Sequence, residues 1–156
     1  MSPQRSFDWR LVAIWAVMLT VSLFAHGHVE IANEARRGNA IGLGRALMFE
    51  GTSHLVVAAI LPALYWLHRR WPIGASPRTL AVHVLAAVPY SLAHTVGMAA
   101  LRPLWFVGIL GEAYAFPLTW ERLFYEGAKD IVTYAMLSAG IVALGHLLDR
   151  VPEPLV

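Results

Sequence analysis

The chain has 156 residues, of which 58% are hydrophobic and only 14% are charged, and its mean hydropathy is +0.56. In soluble domains about a quarter of all residues are charged. The composition of this chain therefore excludes an ordinary soluble globular protein and indicates a membrane protein. The absence of cysteine excludes disulfides and thiolate metal sites. The net charge of +2 comes from basic residues scattered in ones and twos, which does not indicate nucleic-acid binding.

Four apolar segments are each close to the length of about 20 residues that a membrane-spanning helix needs. They cover residues 11–29, 46–67, 79–101 and 128–148. Helices satisfy their own backbone hydrogen bonds in lipid without closing into a barrel. The sequence therefore predicts an all-α fold, a bundle of four transmembrane helices that forms a single integral membrane domain over residues 1–156. We expect a multi-pass protein of the bacterial inner membrane.

The first segment follows a short basic start with Arg5 and Arg10, which is typical of a signal sequence. A small-x-small pattern at residues 25–27 is compatible with cleavage, but we expect a retained anchor. His26 and His28 stand at the far end of this segment, where we expect interfacial histidines rather than ligands. The polar residues 30–45 that follow predict a loop.

The second segment begins with Glu50 and His54, which share one helix face because they are four residues apart. Pro62 predicts a kink in this helix. The segment ends where Arg69 and Arg70 stand between tryptophans. Arginines beside tryptophans mark a membrane–water boundary, and adjacent arginines favour the cytoplasmic side.

The third segment carries a partly polar face at three- and four-residue steps. Its members are His83, Ala87, Tyr90, His94 and Gly97. Gly97 predicts the close approach of another helix. Residues 104–124, which follow, are aromatic but interrupted by glycine and proline, so they predict a loop lying in the membrane interface.

In the fourth segment Glu126, Asp130 and Tyr134 recur every four residues, with Lys129 beside them. A charge in the middle of a spanning helix costs about 2.5–3.5 kcal/mol on insertion scales if it faces lipid. This polar stripe must therefore face protein or water.

We predict that both termini are cytoplasmic, which places the polar residues of three segments at one depth in the outer half of the bundle. This buried polar cluster comprises Glu50, His54, Tyr90, His94, Glu126, Lys129, Asp130 and Tyr134. Because a buried charge needs a partner, Lys129 is expected to pair with a carboxylate of this cluster. Its candidate partners are Glu50, Glu126 and Asp130.

Three interpretations of the cluster are open from the residues alone. It can fix helix packing through hydrogen bonds and ion pairs, or it can form a pocket that receives a ligand or signal. It can also hold a metal or haem through Glu50, His54, His94 and Asp130, since carboxylate and imidazole suit zinc or iron. No His-Glu-x-x-His motif, serine elbow or phosphate-binding loop occurs. We therefore expect a protein that is not an enzyme and needs no cofactor.

Several stretches resemble a known family. They are Glu50-Gly-Thr-Ser-His54, residues 66–72, the run from His83 through Pro89 and His94 to Arg102, and Tyr125-Glu126 with Lys129-Asp130 and Thr133-Tyr134. Together they resemble the N-terminal membrane domain of bacterial LytTR-type transcriptional regulators. The chain departs from that family at Gly127-Ala128, where the family has a bulky residue and an arginine.

The resemblance implies a four-helix input domain that receives a signal, with DNA binding supplied by a separate cytoplasmic domain. Because the sequence runs only to Val156, we expect no such domain in this chain. We expect either an isolated input domain or a protein that keeps only the membrane part, and no direct nucleic-acid binding by this chain.

The leading hypothesis is a membrane-embedded sensory or regulatory module. Its expected partners are the lipid bilayer and a second copy of the chain or another membrane protein. The alternatives are a small metal- or haem-binding redox protein and an accessory subunit of a larger membrane complex, which would pack through the uniformly apolar first segment.

Overall fold

The computed structural model describes residues 9–74 and 76–148, the side chain of Leu148 excepted. Four long helices follow one another, α1 (Trp9–Arg36), α2 (Leu43–Arg70), α3 (Pro77–Trp105) and α4 (Trp120–Leu148), with a π-helical turn at Phe106–Leu110. The described residues contain no strand. Each helix is long and apolar enough to cross a membrane, so the predicted all-α class with four candidate spans is confirmed.

The helices extend beyond the apolar segments, because helical hydrogen bonding continues into polar residues that hydropathy alone does not count. α1 runs to Arg36, well into the predicted loop, and ends before Gly38, whose φ of +83° suits glycine. α4 begins at Trp120 rather than at Ala128. Arg122 therefore lies on α4, four residues before Glu126 and on the same face.

Local sequence explains where α3 begins and how it continues. Ser76 and Thr79 form a capping box, and Pro77 occupies the first turn, where its missing N–H is harmless. α2 stays helical on both sides of Pro62, where the sequence predicts a kink, and α3 stays helical on both sides of Pro89.

The aromatic stretch predicted as a loop over residues 104–124 is non-helical only between residues 111 and 119. Phe106 is 1% exposed and stacks on Tyr114, with 4.8 Å between ring centroids. The guanidinium groups of Arg102 and Arg122 lie over the ring of Phe116 at 5.5 and 5.1 Å. These cation–π contacts tie the connection to the ends of both helices that it joins.

The chain divides into two compact units, residues 1–54 and 55–156, with the boundary inside α2. In the first unit, Gly27 of α1 lies against Leu47 of α2, and a Cβ at Gly27 would come within 3.0 Å of Leu47 Cδ2. Trp15 and Ala46 are buried in the same unit. Glycine thus allows α1 and the start of α2 to approach closely.

In the second unit α3 and α4 present polar side chains inward and apolar side chains outward. The buried positions of α3 recur at three- and four-residue steps, from His83 through Tyr90 and His94 to Arg102. On the opposite face Leu85 and Val96 are 71% and 59% exposed. Such an arrangement is unfavourable in water, but it suits helices surrounded by lipid. Exposing apolar side chains to lipid costs little free energy, whereas exposing an unpaired charge to lipid costs much.

Candidate functional site

Asp130 is the centre of the most enclosed polar group in the second unit, where only 2% of its surface is exposed. Both carboxylate oxygens accept hydrogen bonds from α3. Nδ1 of His94 donates to Oδ1 at 2.7 Å, and the hydroxyl of Ser91 donates to Oδ2 at 2.9 Å. Ser91 and His94 are neighbours on one helix face because they are three residues apart. These three residues are called the Asp130 site below.

Small residues at the contacts between helices make this geometry accessible. A Cβ added to Gly127 would lie 3.7 Å from the hydroxyl oxygen of Ser91, which is ordinary van der Waals contact. A Cβ at Gly97 would lie 2.7 Å from Cγ1 of Val56 on α2, a distance that requires a shift. The close helix approach predicted at Gly97 is therefore observed, whereas the contact of Gly127 with Ser91 leaves room for a methyl group.

The chemistry available at the Asp130 site is that of a carboxylate with two donors and almost no surface exposed to solvent. Hydrogen bonds to an ionised carboxylate are stronger than neutral ones, and a low dielectric strengthens them further. Each nitrogen of an imidazole can carry or accept a proton, so the His94–Asp130 pair can hold or release one. The pair can equally hydrogen-bond a polar ligand that reaches it.

Tyr90 and Tyr134 extend the polar group along α3 and α4. The ring of Tyr90 stacks on His94 at 6.2 Å and meets the ring of Tyr134 edge-on at 5.4 Å. The hydroxyl of Tyr134 lies 2.8 Å from Nδ1 of His83. Four of the predicted cluster residues, Tyr90, His94, Asp130 and Tyr134, are thus brought together.

Glu126 and Lys129 lie one turn away on α4, and their pairing differs in part from the prediction. Glu126 is 2% exposed, and its two carboxylate oxygens lie 2.9 Å from Nε of Arg122 and 3.5 Å from Nζ of Lys129. The Lys129 side chain is 56% exposed and lies over the ring of Tyr125. Of the three candidate partners of Lys129, the structure shows the contact with Glu126. Asp130 is adjacent to Lys129 in the sequence, and adjacent side chains point about 100° apart around a helix.

Glu50 and His54 belong to the first unit, in which His54 joins residues of α1. Nδ1 of His54 donates to the backbone carbonyl of Glu50 at 2.9 Å, and its Nε2 accepts from the hydroxyl of Ser22 at 3.1 Å. The ring of His26 lies 5.6 Å from that of His54. The predicted meeting of Glu50 and His54 with the Asp130 site stays a prediction.

The sequence analysis did not identify Ser91, Ser22 and Arg122 as hydrogen-bond or ion-pair partners, although the position of each along its helix indicates one. Ser91 precedes His94 by three residues, Ser22 precedes His26 by four, and Arg122 precedes Glu126 by four. His83, which the sequence placed on the partly polar face of the third segment but outside the predicted cluster, is 3% exposed and bonded to α4.

No group of three or more His, Asp or Glu side chains among the described residues is placed to hold a metal ion. Of the metal set considered from the sequence, His94 and Asp130 are in contact, and Glu50 and His54 lie in the first unit. That set stays a prediction.

Comparison with family models, curated proteins and solved structures gives no match for this chain. The contacts of the buried polar residues are therefore the main basis for assigning a function.

Proposed function

We propose that the chain is a membrane-embedded sensory or regulatory input module, and that the Asp130 site receives its signal. The observation that carries this proposal is the buried hydrogen-bonded pair of His94 and Asp130, 2.7 Å apart between two candidate membrane spans. Ionisable residues inside membrane spans are costly, and they commonly serve ion, proton or ligand recognition. The resemblance of the surrounding residues to the input domain of LytTR-type regulators supports the same function.

A signal must favour one arrangement of the helices over another, by its difference in affinity for the two. Asp130 and His94 fasten α4 to α3 through side chains whose charge or bonding a ligand can change. α4 continues from Asp130 to its end at Leu148, so a change at the site can be transmitted along one rigid helix. We propose that the output is read beyond this end of α4, by a fused or separate partner.

The test is a fusion of the chain to a DNA-binding domain whose activity depends on the arrangement of its membrane part. Asp130→Asn and His94→Ala should alter reporter output per folded molecule, because they remove the charge or the donor of the pair. Glu121→Gln, a change to an acidic residue on an exposed face of α4, is the matched control and should leave the output unchanged.

If the pair serves packing alone, both site variants will reduce the amount of folded protein and leave the output per folded molecule unaltered. Expression level, thermal stability and reporter output are therefore measured on the same preparations. A Soret band or stoichiometric metal in the purified protein would contradict this proposal and favour the redox alternative.

A further inference from the structure

Buried titratable side chains continue from the Asp130 site toward the end of α2. They are, in spatial order, His94, Tyr90, Tyr134, His83 and His68. Each of them is at most 6% exposed. All of them belong to the second unit, and neither the packing of helices nor the reception of a signal at Asp130 requires so long a row.

The hydrogen-bond acceptors in this row fix which nitrogen carries a proton. A backbone carbonyl can only accept, so Nε2–H of His83 donates to the carbonyl of Trp71 at 2.8 Å. In the neutral imidazole the remaining nitrogen, Nδ1, is then an acceptor, and the hydroxyl of Tyr134 donates to it at 2.8 Å. The bond between Tyr134 and His83 therefore points from α4 toward α3.

The backbone acceptor of His68 likewise fixes its tautomer, and it leaves the lone pair of the other ring nitrogen without a donor. Nδ1–H of His68 donates to the carbonyl of Leu64 at 2.8 Å, so Nε2 is the acceptor of the neutral ring. This Nε2 is buried and has no hydrogen-bond partner, and the His68 ring lies only 4.3 Å from the ring of His83. The hydroxyl of Tyr90, buried between His94 and Tyr134, also has no partner.

We propose that these residues form a proton relay from Asp130 to His68, and that the chain transfers protons through the contact between α3 and α4. Nε2 of His68, which has no hydrogen-bond partner, is the atom that accepts the proton delivered by this relay. Chains of Asp, Glu and His inside membrane proteins serve as proton relays in pumps and transporters, and a tyrosine hydroxyl can both donate and accept a proton. The unpartnered groups stand at two points of the row, Tyr90 within it and His68 at its end.

The steps balance without a charged phenolate. A proton that leaves the His94–Asp130 pair binds the hydroxyl oxygen of Tyr90, whose own O–H bond breaks as its proton passes to Tyr134. Because the Tyr90 hydroxyl has no hydrogen-bond partner in the protein, both transfers go through a bridging water. Tyr134 in turn gives its proton to Nδ1 of His83, and the proton on Nε2 of His83 leaves the carbonyl of Trp71 and passes through a further water to Nε2 of His68. His68, then protonated on both nitrogens, releases this proton at the end of α2, and a return of the His83 proton from Nδ1 to Nε2 restores the starting tautomer. A membrane potential or a pH gradient drives the transfer, and no oxidant or reductant is involved.

Both ends of the relay lie near groups that reach solvent. Glu126 stands one turn before Asp130 and contacts the partly exposed side chains of Arg122 and Lys129. At the other end, His68 directly precedes the exposed residues Arg69 and Arg70 in the last turn of α2. Arginines at a helix end are typical of a membrane–water boundary.

The experiment measures proton uptake by liposomes that contain the full-length chain and a trapped pH-sensitive dye, under a potassium diffusion potential. We expect uptake by the wild type to exceed that of protein-free liposomes. Tyr90→Phe removes a hydroxyl that has no hydrogen-bond partner, so it should keep the fold and slow uptake by about a hundredfold or more, the scale of a lost proton-transfer group. Tyr65→Phe, on α2 and outside the row, is the matched control and should match the wild type.

Tyr134→Phe and His83→Gln should slow uptake as Tyr90→Phe does, and circular dichroism and thermal unfolding verify that each variant is folded. Uptake no faster than in protein-free liposomes would overturn the relay, as would equal uptake by wild type and Tyr90→Phe. The relay shares Asp130 with the proposed sensory function, but its assay contains no output domain. Its failure would therefore leave that function standing, and the reporter assay can fail while proton uptake persists.

Discussion

At the scale of single residues, Asp130 shows how a carboxylate is accommodated in a membrane helix. Each oxygen has one donor, and both donors come from one face of α3, so a single helix contact satisfies the charge. Removing one partner of a buried ion pair typically costs about 3–5 kcal/mol, because the other is left uncompensated, whereas removing both costs much less.

A double-mutant cycle tests this account of the pair. We expect His94→Ala and Asp130→Asn each to lower thermal stability in detergent, and the double variant to be more stable than the sum of the two effects predicts. The coupling should fall within about 0.5–3 kcal/mol, the range of residues in direct contact. Lys129→Met combined with Asp130→Asn is the control, since Lys129 contacts Glu126 instead, and these two effects should add. Additivity of the His94 and Asp130 changes would contradict direct coupling.

At the scale of the helices, the spacing of residues predicted which faces are buried but not every contact across them. Steps of three and four placed His83, Tyr90 and His94 on one face of α3, and the structure buries all three. Which residue of α4 each one meets depends on the rotation and offset of the two helices. Those depend on the fit of the two helix surfaces as a whole, which is visible only once the neighbouring helix is known.

Helix ends were predicted least well, for a related physical reason. Hydropathy records the part of a helix that suits lipid, whereas α4 begins in the amphipathic stretch from Trp120, which hydropathy assigns to a loop. The pairing of Glu126 with Arg122 depends on that additional turn. Among the three candidate partners of Lys129, the sequence could not single out Glu126, because that choice depends on how the side chains point around the helix.

At the scale of the helices, the close contact between Gly97 and Val56 can be tested by substitution. Gly97→Ala should destabilise the protein by about 1–3 kcal/mol, since the new methyl group would overlap Val56, whose branched side chain has little freedom to move. Val56→Ala should restore part of the loss when it is combined with Gly97→Ala. Gly145→Ala, where no atom lies within 4 Å of the added carbon, is the control and should be neutral or slightly stabilising. Equal effects at the two glycines would contradict close packing at Gly97.

At the scale of the whole molecule, the described helices expose large apolar side chains along their length, including Val21, Leu55, Leu92 and Met136. Monomeric soluble proteins rarely expose so many large apolar side chains, whereas helices surrounded by lipid do so without cost. Four candidate spans, an even number, place both termini on one side of the membrane if all four cross it. Which side that is depends on charges at the ends of the helices rather than on the polar interior.

We predict that both termini are cytoplasmic. Arg69 and Arg70 end α2 and Arg78 lies in the first turn of α3, so three arginines flank one short connection, the setting in which the positive-inside rule acts best. A reporter that is active only in the cytoplasm should therefore work after Val156, and one that is active only outside should work when inserted between residues 37 and 42.

Replacing Arg69, Arg70 and Arg78 by Gln removes that bias and should give a mixed orientation, while replacing Arg36, Arg37 and Arg45 should not. Activity of the external reporter after Val156 in the unaltered chain would reverse the assignment, and it would place the His68 end of the relay on the outer side.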